Sequence, residues 1–282
     1  MRMKIYYTGL FLMLFSGMIV AQDNPGTKIL DNMLASIDRV HAIQFRLKQY
    51  ERYNGKIELE DDRVKLKTNP LSLFIEVISP DAGAEVLWVQ GENNGEAYVH
   101  PNGFPYLTLN FLPDSKTLRK GHHNIFALQL SYMAGLIRST MQNAGSSFNS
   151  NLHLEQDVVF NHETCYQLNI EHPSFAFVPY TIKPGENLIS LAERLHLSEY
   201  MILENNPGLS EYSDVKAGQV IHIPNNYARK MTLYISKKTY LPLAEFIYDD
   251  KGLFERYEFS EVKVNPEFGP EEFSKHNPAY HF

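Results

Sequence analysis

Cysteine is nearly missing from this chain. Cys165 is the only one in 282 residues, so no disulfide can form within the molecule, and an exported fold without one relies on its hydrophobic core. Its setting, Thr164-Cys165-Tyr166-Gln167-Leu168, reads as mid-strand, not as a helix start that would lower its pKa. Cys165 is therefore a core residue and not half of a Cys–His nucleophile. Basic residues are also scarce: 26 Lys and Arg face 33 Asp and Glu. That balance argues against nucleic acid and against anionic lipid headgroups as partners.

Reaction motifs are lacking too. There is no His-Glu-x-x-His, no Gly-x-Ser-x-Gly and no Gly-rich phosphate loop. His122 and His123 are adjacent, so on a helix they point about 100° apart and chelate poorly; they read as a helix-start pair near a turn. His162-Glu163-Thr164-Cys165 has metal-donor types but no second pair at zinc spacing. Glu60 and Asp62 read as turn carboxylates, simply solvated. No catalytic residue, metal or cofactor is assigned.

Only one long apolar run exists. Ile5–Val20 follows the basic Arg2 and Lys4 and precedes Ala21, the layout of a secretory signal with cleavage before Gln22. Sixteen residues are short for a membrane span, which needs roughly 20. Removing 1–21 leaves 24 basic and 33 acidic residues, a formal charge of −9. The expected address is the periplasm or cell envelope.

Past the signal, Lys28–Val40 carries Ile29, Leu30, Met33, Leu34, Ile37 and Val40 at helical spacing. Strand texture follows. Ile43, Phe45 and Leu47 alternate; Ile57 and Leu59 are read as facing Val64 and Leu66 across a tight hairpin at Asp61–Asp62. Asn94-Gly95 marks another turn. A second helix is expected over Asn124–Asn143, with an apolar arc wide enough to pack deep against a sheet. Strands resume at Leu152–Glu155, Asp157–Phe160 and Thr164–Ile170, and again after residue 230 at Met231–Ile235, Leu243–Tyr248 and Leu253–Phe259. The body reads as one antiparallel sheet of about eight to eleven strands, long enough to curl, with two main helices in its concave face.

Between those strand groups lies Val178–Pro224, punctuated as a miniature domain: a strand at Tyr180–Lys183, a Pro-Gly turn, two short helices, an Asn-Pro-Gly turn, a Lys-Ala-Gly turn and a closing strand. Asn187 and Ser198 are placed to cap the helices, and Pro207 ends the second. Tyr180-Thr181-Ile182, Pro184-Gly185-Glu186-Asn187-Leu188, Asn206-Pro207-Gly208-Leu209 and Gly218-Gln219 resemble a LysM domain. The resemblance implies a βααβ fold that binds peptidoglycan or another N-acetylglucosamine-containing glycan in a shallow groove between two loops. It assigns Gly185, Glu186, Asn187, Leu188, Asn206, Pro207, Gly208 and Leu209 to glycan binding. Glu186–Asn187 stands where the family usually has Asp-Thr, a departure that bears on affinity.

The body in turn resembles an uncharacterised family of exported bacterial proteins near the LolA/LolB lipoprotein-carrier fold. The matching residues are Asn54–Gly55, Pro80 with Gly83-Ala84-Glu85-Val86-Leu87, Gly121–His122, Thr239-Tyr240-Leu241-Pro242, Phe273, and Asn277-Pro278-Ala279-Tyr280-His281-Phe282. That fold, an α+β half-barrel, implies a cleft for a lipid, lipoprotein or apolar peptide. The expected organisation is a signal peptide at 1–21, a discontinuous LolA-like sheet domain at 22–177 and 228–282, and an inserted LysM domain at 178–224. The expected function is non-catalytic: an exported cell-envelope protein that binds peptidoglycan and holds an apolar cargo. The alternatives are a structural envelope adaptor without cargo and a cell-wall-modifying enzyme.

Overall fold

The computed structural model describes residues 24–104, 106–119 and 121–282; the expected signal peptide lies outside them. Asn24 caps the first helix, α1 (Pro25–Ile37), accepting from Gly26 N–H at 2.9 Å. Pro25 suits that first turn because its missing N–H would have no helical partner there. Leu30 and Met33 on α1 are fully buried.

The first half of the sheet is a meander: β1 (Ala42–Tyr53), β2 (Lys56–Thr68), β3 (Leu71–Ser79), β4 (Glu85–Val89), β5 (Ala97–His100) and β6 (Leu109–Phe111). A 3₁₀ turn (Ile125–Leu128) then leads into α2 (Leu130–Ala144). The expected single helix over 124–143 is thus broken at Gln129, which is extended (φ −73°, ψ 129°). The second half contains β7 (Leu152–Leu154), β8 (Val158–Phe160), β9 (Glu163–Glu171), β12 (Lys230–Ser236), β13 (Pro242–Tyr248) and β14 (Leu253–Val264). The strands run in the order β6-β5-β4-β3-β2-β1-β14-β13-β12-β9-β7, with β8 also on β9. This makes one antiparallel sheet of twelve strands, more than the eight to eleven expected, because the short β6, β7 and β8 all join it.

Two sequence expectations are corrected. Asp61–Asp62 is no hairpin: β2 runs straight through it, and the β1–β2 turn is at Asn54–Gly55. Both turn residues have positive φ (48° and 78°), as a two-residue primed turn requires. The two aspartates are instead held mid-strand, Asp61 by both arms of Arg46 at 2.8 and 2.7 Å and Asp62 by Gln49 at 3.2 Å. They read as a turn only because charged pairs usually sit in solvent.

The sheet curls around its helices. Val99 of β5 and Ile170 of β9, far apart in strand order, belong to the same buried cluster as α1 and α2. On the opposite face, Phe74 and Leu87 are covered by Tyr280 and Phe282 of the C-terminal segment; Phe74 and Tyr280 stack at 3.8 Å.

Residues 177–224 sit between the adjacent strands β9 and β12. They hold β10 (Phe177–Thr181), α3 (Leu188–Leu195), α4 (Glu199–Glu204) and β11 (Val220–Pro224). β10 and β11 pair antiparallel, from Phe177↔Pro224 to Thr181↔Val220. The unit has its own core of Ile182, Leu188, Leu191, Ala192, Leu197, Ile202, Ile221 and Ile223. Its α4 does not stay apart, since Tyr200 and Met201 belong to the core of the sheet body.

Candidate binding sites

Two regions have the makings of a site: the exposed turns of the βααβ unit, and a cavity inside the sheet body.

In the βααβ unit, the side chains nearest the turns are occupied in building the turns. Asn187 accepts from Ser190 N–H at 2.8 Å, and Ser190 Oγ accepts from Asn187 N–H at 3.1 Å. This reciprocal capping box satisfies two first-turn donors of α3. Glu186 accepts from Lys183 N–H at 2.8 Å, from Arg194 at 2.6 Å and from Tyr180 Oη at 3.1 and 3.0 Å. The Lys183 amide, then Arg194 and Tyr180, hold the Glu186 carboxyl below its usual range. The Glu186–Asn187 pair therefore braces this corner of the fold. Asn206 bonds Ile202 O and His222 O at 2.7 Å each and accepts from His222 N–H at 2.8 Å, tying the end of α4 to β11. Leu188 is fully buried, and its N–H donates to Tyr212 O.

Of the eight residues assigned from sequence, Gly185, Pro207 and Gly208 remain exposed. Gly185 (φ 81°) and Gly208 (φ 115°) are left-handed, and nothing lies within 4 Å of where a Cβ would stand. Any ligand here meets backbone and open space.

The cavity encloses about 320 Å³ between the 3₁₀–α2 segment and the concave face of the sheet. Such a volume is at the lower end for small-molecule sites. Strand register divides its wall. Glu60, Gln49, Tyr257 and Glu245 lie directly across β2, β1, β14 and β13 as one polar row. Leu47 and Phe259 face each other in the next row, and Ile75, Val86 and Val99 continue the apolar side. Asp62 is thus buried against a cavity, not solvated at a turn. Burial and then Glu60 push its carboxyl up to about 8; burial and then Glu255 do the same to Glu245.

Behind the polar row lies a buried network that joins the two regions. His122 Nδ1 meets Glu255 Oε1 at 2.7 Å and Nε2 meets Arg52 O at 3.0 Å. Both ring nitrogens face acceptors, so both carry protons. His123 lies between Tyr227 Oη (2.9 Å), Glu255 (3.3 Å), Tyr132 Oη (3.3 Å) and Glu199 of α4 (3.5 Å). Burial opposes charge on these histidines, but for His122 Glu51 and Glu255 outweigh it, and for His123 Tyr132 and Glu199 do, so both pKa values are raised. Burial alone would raise Glu255; His122 and His123 instead hold it down to about 2. Glu51 accepts from Tyr53 at 2.9 Å, Tyr257 at 2.7 Å and His122 N–H at 2.9 Å. Gly121 permits the last contact, because a Cβ there would stand 3.0 Å from Glu51. Tyr200 stacks on His122 at 4.5 Å and meets Tyr53 edge-on at 4.8 Å.

Sequence reasoning missed this network. The adjacent histidines are a paired anchor for α4, His122 fully buried and His123 nearly so, and only their neighbours in space reveal it. Cys165 is buried in β9, and burial followed by Glu163 raises its thiol to about 11, which fits a core residue. Among the described residues, no group of three or more His, Cys, Asp or Glu side chains is placed to share a metal ion. No helix among them is long and apolar enough to cross a membrane.

Residues 180–224 match the LysM domain family, and residues 40–179 match a family described as a protein of unknown function, DUF1571. No curated protein matches the chain. Among solved structures, Mycobacterium tuberculosis lipoprotein LppX is similar at 13% identity and TM-score 0.42, covering 88% of this chain and 99% of that one. A DUF1329 family protein from Desulfovibrio piger is similar at 10% identity and TM-score 0.36, covering 89% and 98%. A LolA superfamily protein from Nitrosomonas europaea is similar at 12% identity and TM-score 0.32, covering 89% and 97%.

Proposed function

We propose that this protein is a non-catalytic component of the cell envelope, made of a discontinuous sheet domain (22–177 and 228–282) and an inserted LysM domain (178–224). The LysM domain holds it on peptidoglycan, and the cavity of the sheet domain takes up an apolar ligand. The observation that carries the glycan half is the pair of open, left-handed turns at Gly185 and Gly208. Around them, the side chains of Glu186, Asn187 and Asn206 are spent on the fold, which leaves backbone amides and carbonyls to meet acetamido and hydroxyl groups. The cavity supports the other half through its size and its aliphatic wall.

The glycan half is tested by retention on insoluble peptidoglycan. The full chain is expected to be retained and to be released by soluble N-acetylglucosamine oligomers. Gly208→Val forces a β-branched residue into a φ it adopts only under strain, and is expected to abolish retention while the thermal transition of the sheet body stays in place. Retention that ignores both the oligomers and this substitution sinks the assignment.

A further inference from the structure

The cavity has a sign. Five carboxyl side chains line it, those of Glu51, Glu60, Asp62, Asp81 and Glu245, and among the described lining residues there is no Lys or Arg. The one other ionisable group that carries positive charge there, His123, is already engaged by Glu255 and Glu199. Two of the carboxyls are also incomplete. Asp62 is 3% exposed and Glu245 4% exposed, and Asp62 Oδ1 and Glu245 Oε1 have no hydrogen-bond partner. A buried acceptor left without a donor is unfavourable, so a ligand that brings a donor to that wall satisfies it.

We propose that the cavity selects a single-chain amphiphile with a protonated amine head. The ammonium lies against the Glu245 carboxylate, beside Tyr257 and Gln49 of the polar row, and the tail lies along Leu47, Phe259, Ile75 and Val99. An ammonium supplies three donors and no acceptor, which matches Glu245 Oε1, an acceptor with nothing to accept. A carboxylate or phosphate head supplies acceptors only and meets like charge where Glu245 is ionised. A hydroxyl head supplies one donor without charge and stands between. The small volume, about 320 Å³, favours one chain over two. Because burial lifts Glu245 to about 8, the ammonium displaces its proton on binding, and the charge preference is fully present once the pH lies above that value.

This inference rests on the reading of the cavity as a ligand site, and the test separates the two. The full chain is titrated by calorimetry at pH 9, above the Glu245 value of about 8, with decylamine, decanol and decanoate, each below its micellar concentration. Decylamine is expected to bind at least about tenfold tighter than decanoate, with decanol between them. Glu245→Gln is expected to reduce the amine-over-carboxylate gap to below about threefold and to leave decanol unchanged, whereas Asp62→Asn, three strands away, is expected to keep the gap. Both replacements keep side-chain shape, and a melting curve for each verifies the fold. If decanoate binds as well as decylamine, or if the amine preference survives Glu245→Gln, the charge selection is overturned while the cavity stands as a site. If none of the three binds, the cavity reading fails and takes the selection with it.

Discussion

The LysM domain and the sheet body each hold a candidate site, but they build it from different parts of the chain. The domain offers backbone at two turns, set by residues within a few positions of one another: Lys183, Glu186, Asn187 and Ser190 at one corner, Asn206 and His222 at the other. The body offers side chains that are remote in sequence, Gln49, Glu60, Glu245 and Tyr257, brought into one row by strand register. A turn-built site tolerates changes in neighbouring side chains but not a Cβ at its glycines. A register-built cavity behaves oppositely, since one carboxyl-to-amide exchange changes its character while its shape is kept. The two regions meet at α4, whose outer face is core for the body.

That junction gives the largest expected effect. The Arg52 guanidinium binds Asp249 with both arms, reaches Glu204 of α4 at 3.2 Å, and lies over the Phe254 ring at 5.2 Å. Arg52 and Asp249 are both buried. Removing one partner of a buried pair strands the other charge, at about 3–5 kcal/mol. Arg52→Ala is therefore expected to lower the unfolding free energy of the body by that amount, read by denaturant titration, and the double variant with Asp249→Ala is expected to recover part of it. A loss under about 1 kcal/mol would mean that the seam does not fasten the two regions, and the contrast between them would become one between independent units.

The second effect belongs to the cavity alone and has a pH signature. Glu245 is raised in the folded state from 4.5 to about 8. Between those values the native protein holds more protons than the unfolded chain, so this group makes stability fall as pH rises. Below pH 4.5 both states are protonated and the penalty vanishes. Glu245→Gln removes it and is expected to stabilise the protein by about 2–3 kcal/mol at pH 7 and by nothing near pH 4. Chemical denaturation of both proteins from pH 4 to 8 reads the difference. Curves that run parallel across that range would show that Glu245 is not held against its charge.

The same contrast explains what could be read from the sequence. Asn187 and Ser198 announce the helix starts of the LysM domain, and they do accept from Ser190 N–H and Met201 N–H; caps and turns are local, so local spacing finds them. The curled antiparallel sheet with its helices is legible from alternation and from the wide apolar arc over Asn124–Asn143, of which Leu130–Ala144 forms the helix. The sequence suggests a hairpin at Asp61–Asp62, between Ile57/Leu59 and Val64/Leu66, where β2 runs unbroken, because adjacent acids look solvated until Arg46 and Gln49 are found opposite them. The cavity was beyond reach for the same reason. Its polar row exists only once four strands are in register, and a shift of one residue would turn every member outward. His122 and His123 gave no sign of Glu255, which lies more than a hundred residues further along the chain.

The smallest expected effect sets the scale for the largest. Lys116 and Glu211 also join the body to the LysM domain, at 2.6 Å, but their side chains are 83% and 46% exposed. An exposed pair gains little over its separately hydrated ions and is screened by salt. Lys116→Ala is expected to cost no more than about 0.5 kcal/mol in low salt and nothing measurable in 1 M salt, with peptidoglycan retention unchanged. The same regions are thus joined twice, once through buried groups and once through solvated ones. If Lys116→Ala weakened the protein as much as Arg52→Ala, burial would not be what fixes α4 on the body, and the turns at Gly185 and Gly208 would be oriented by the surface charges instead.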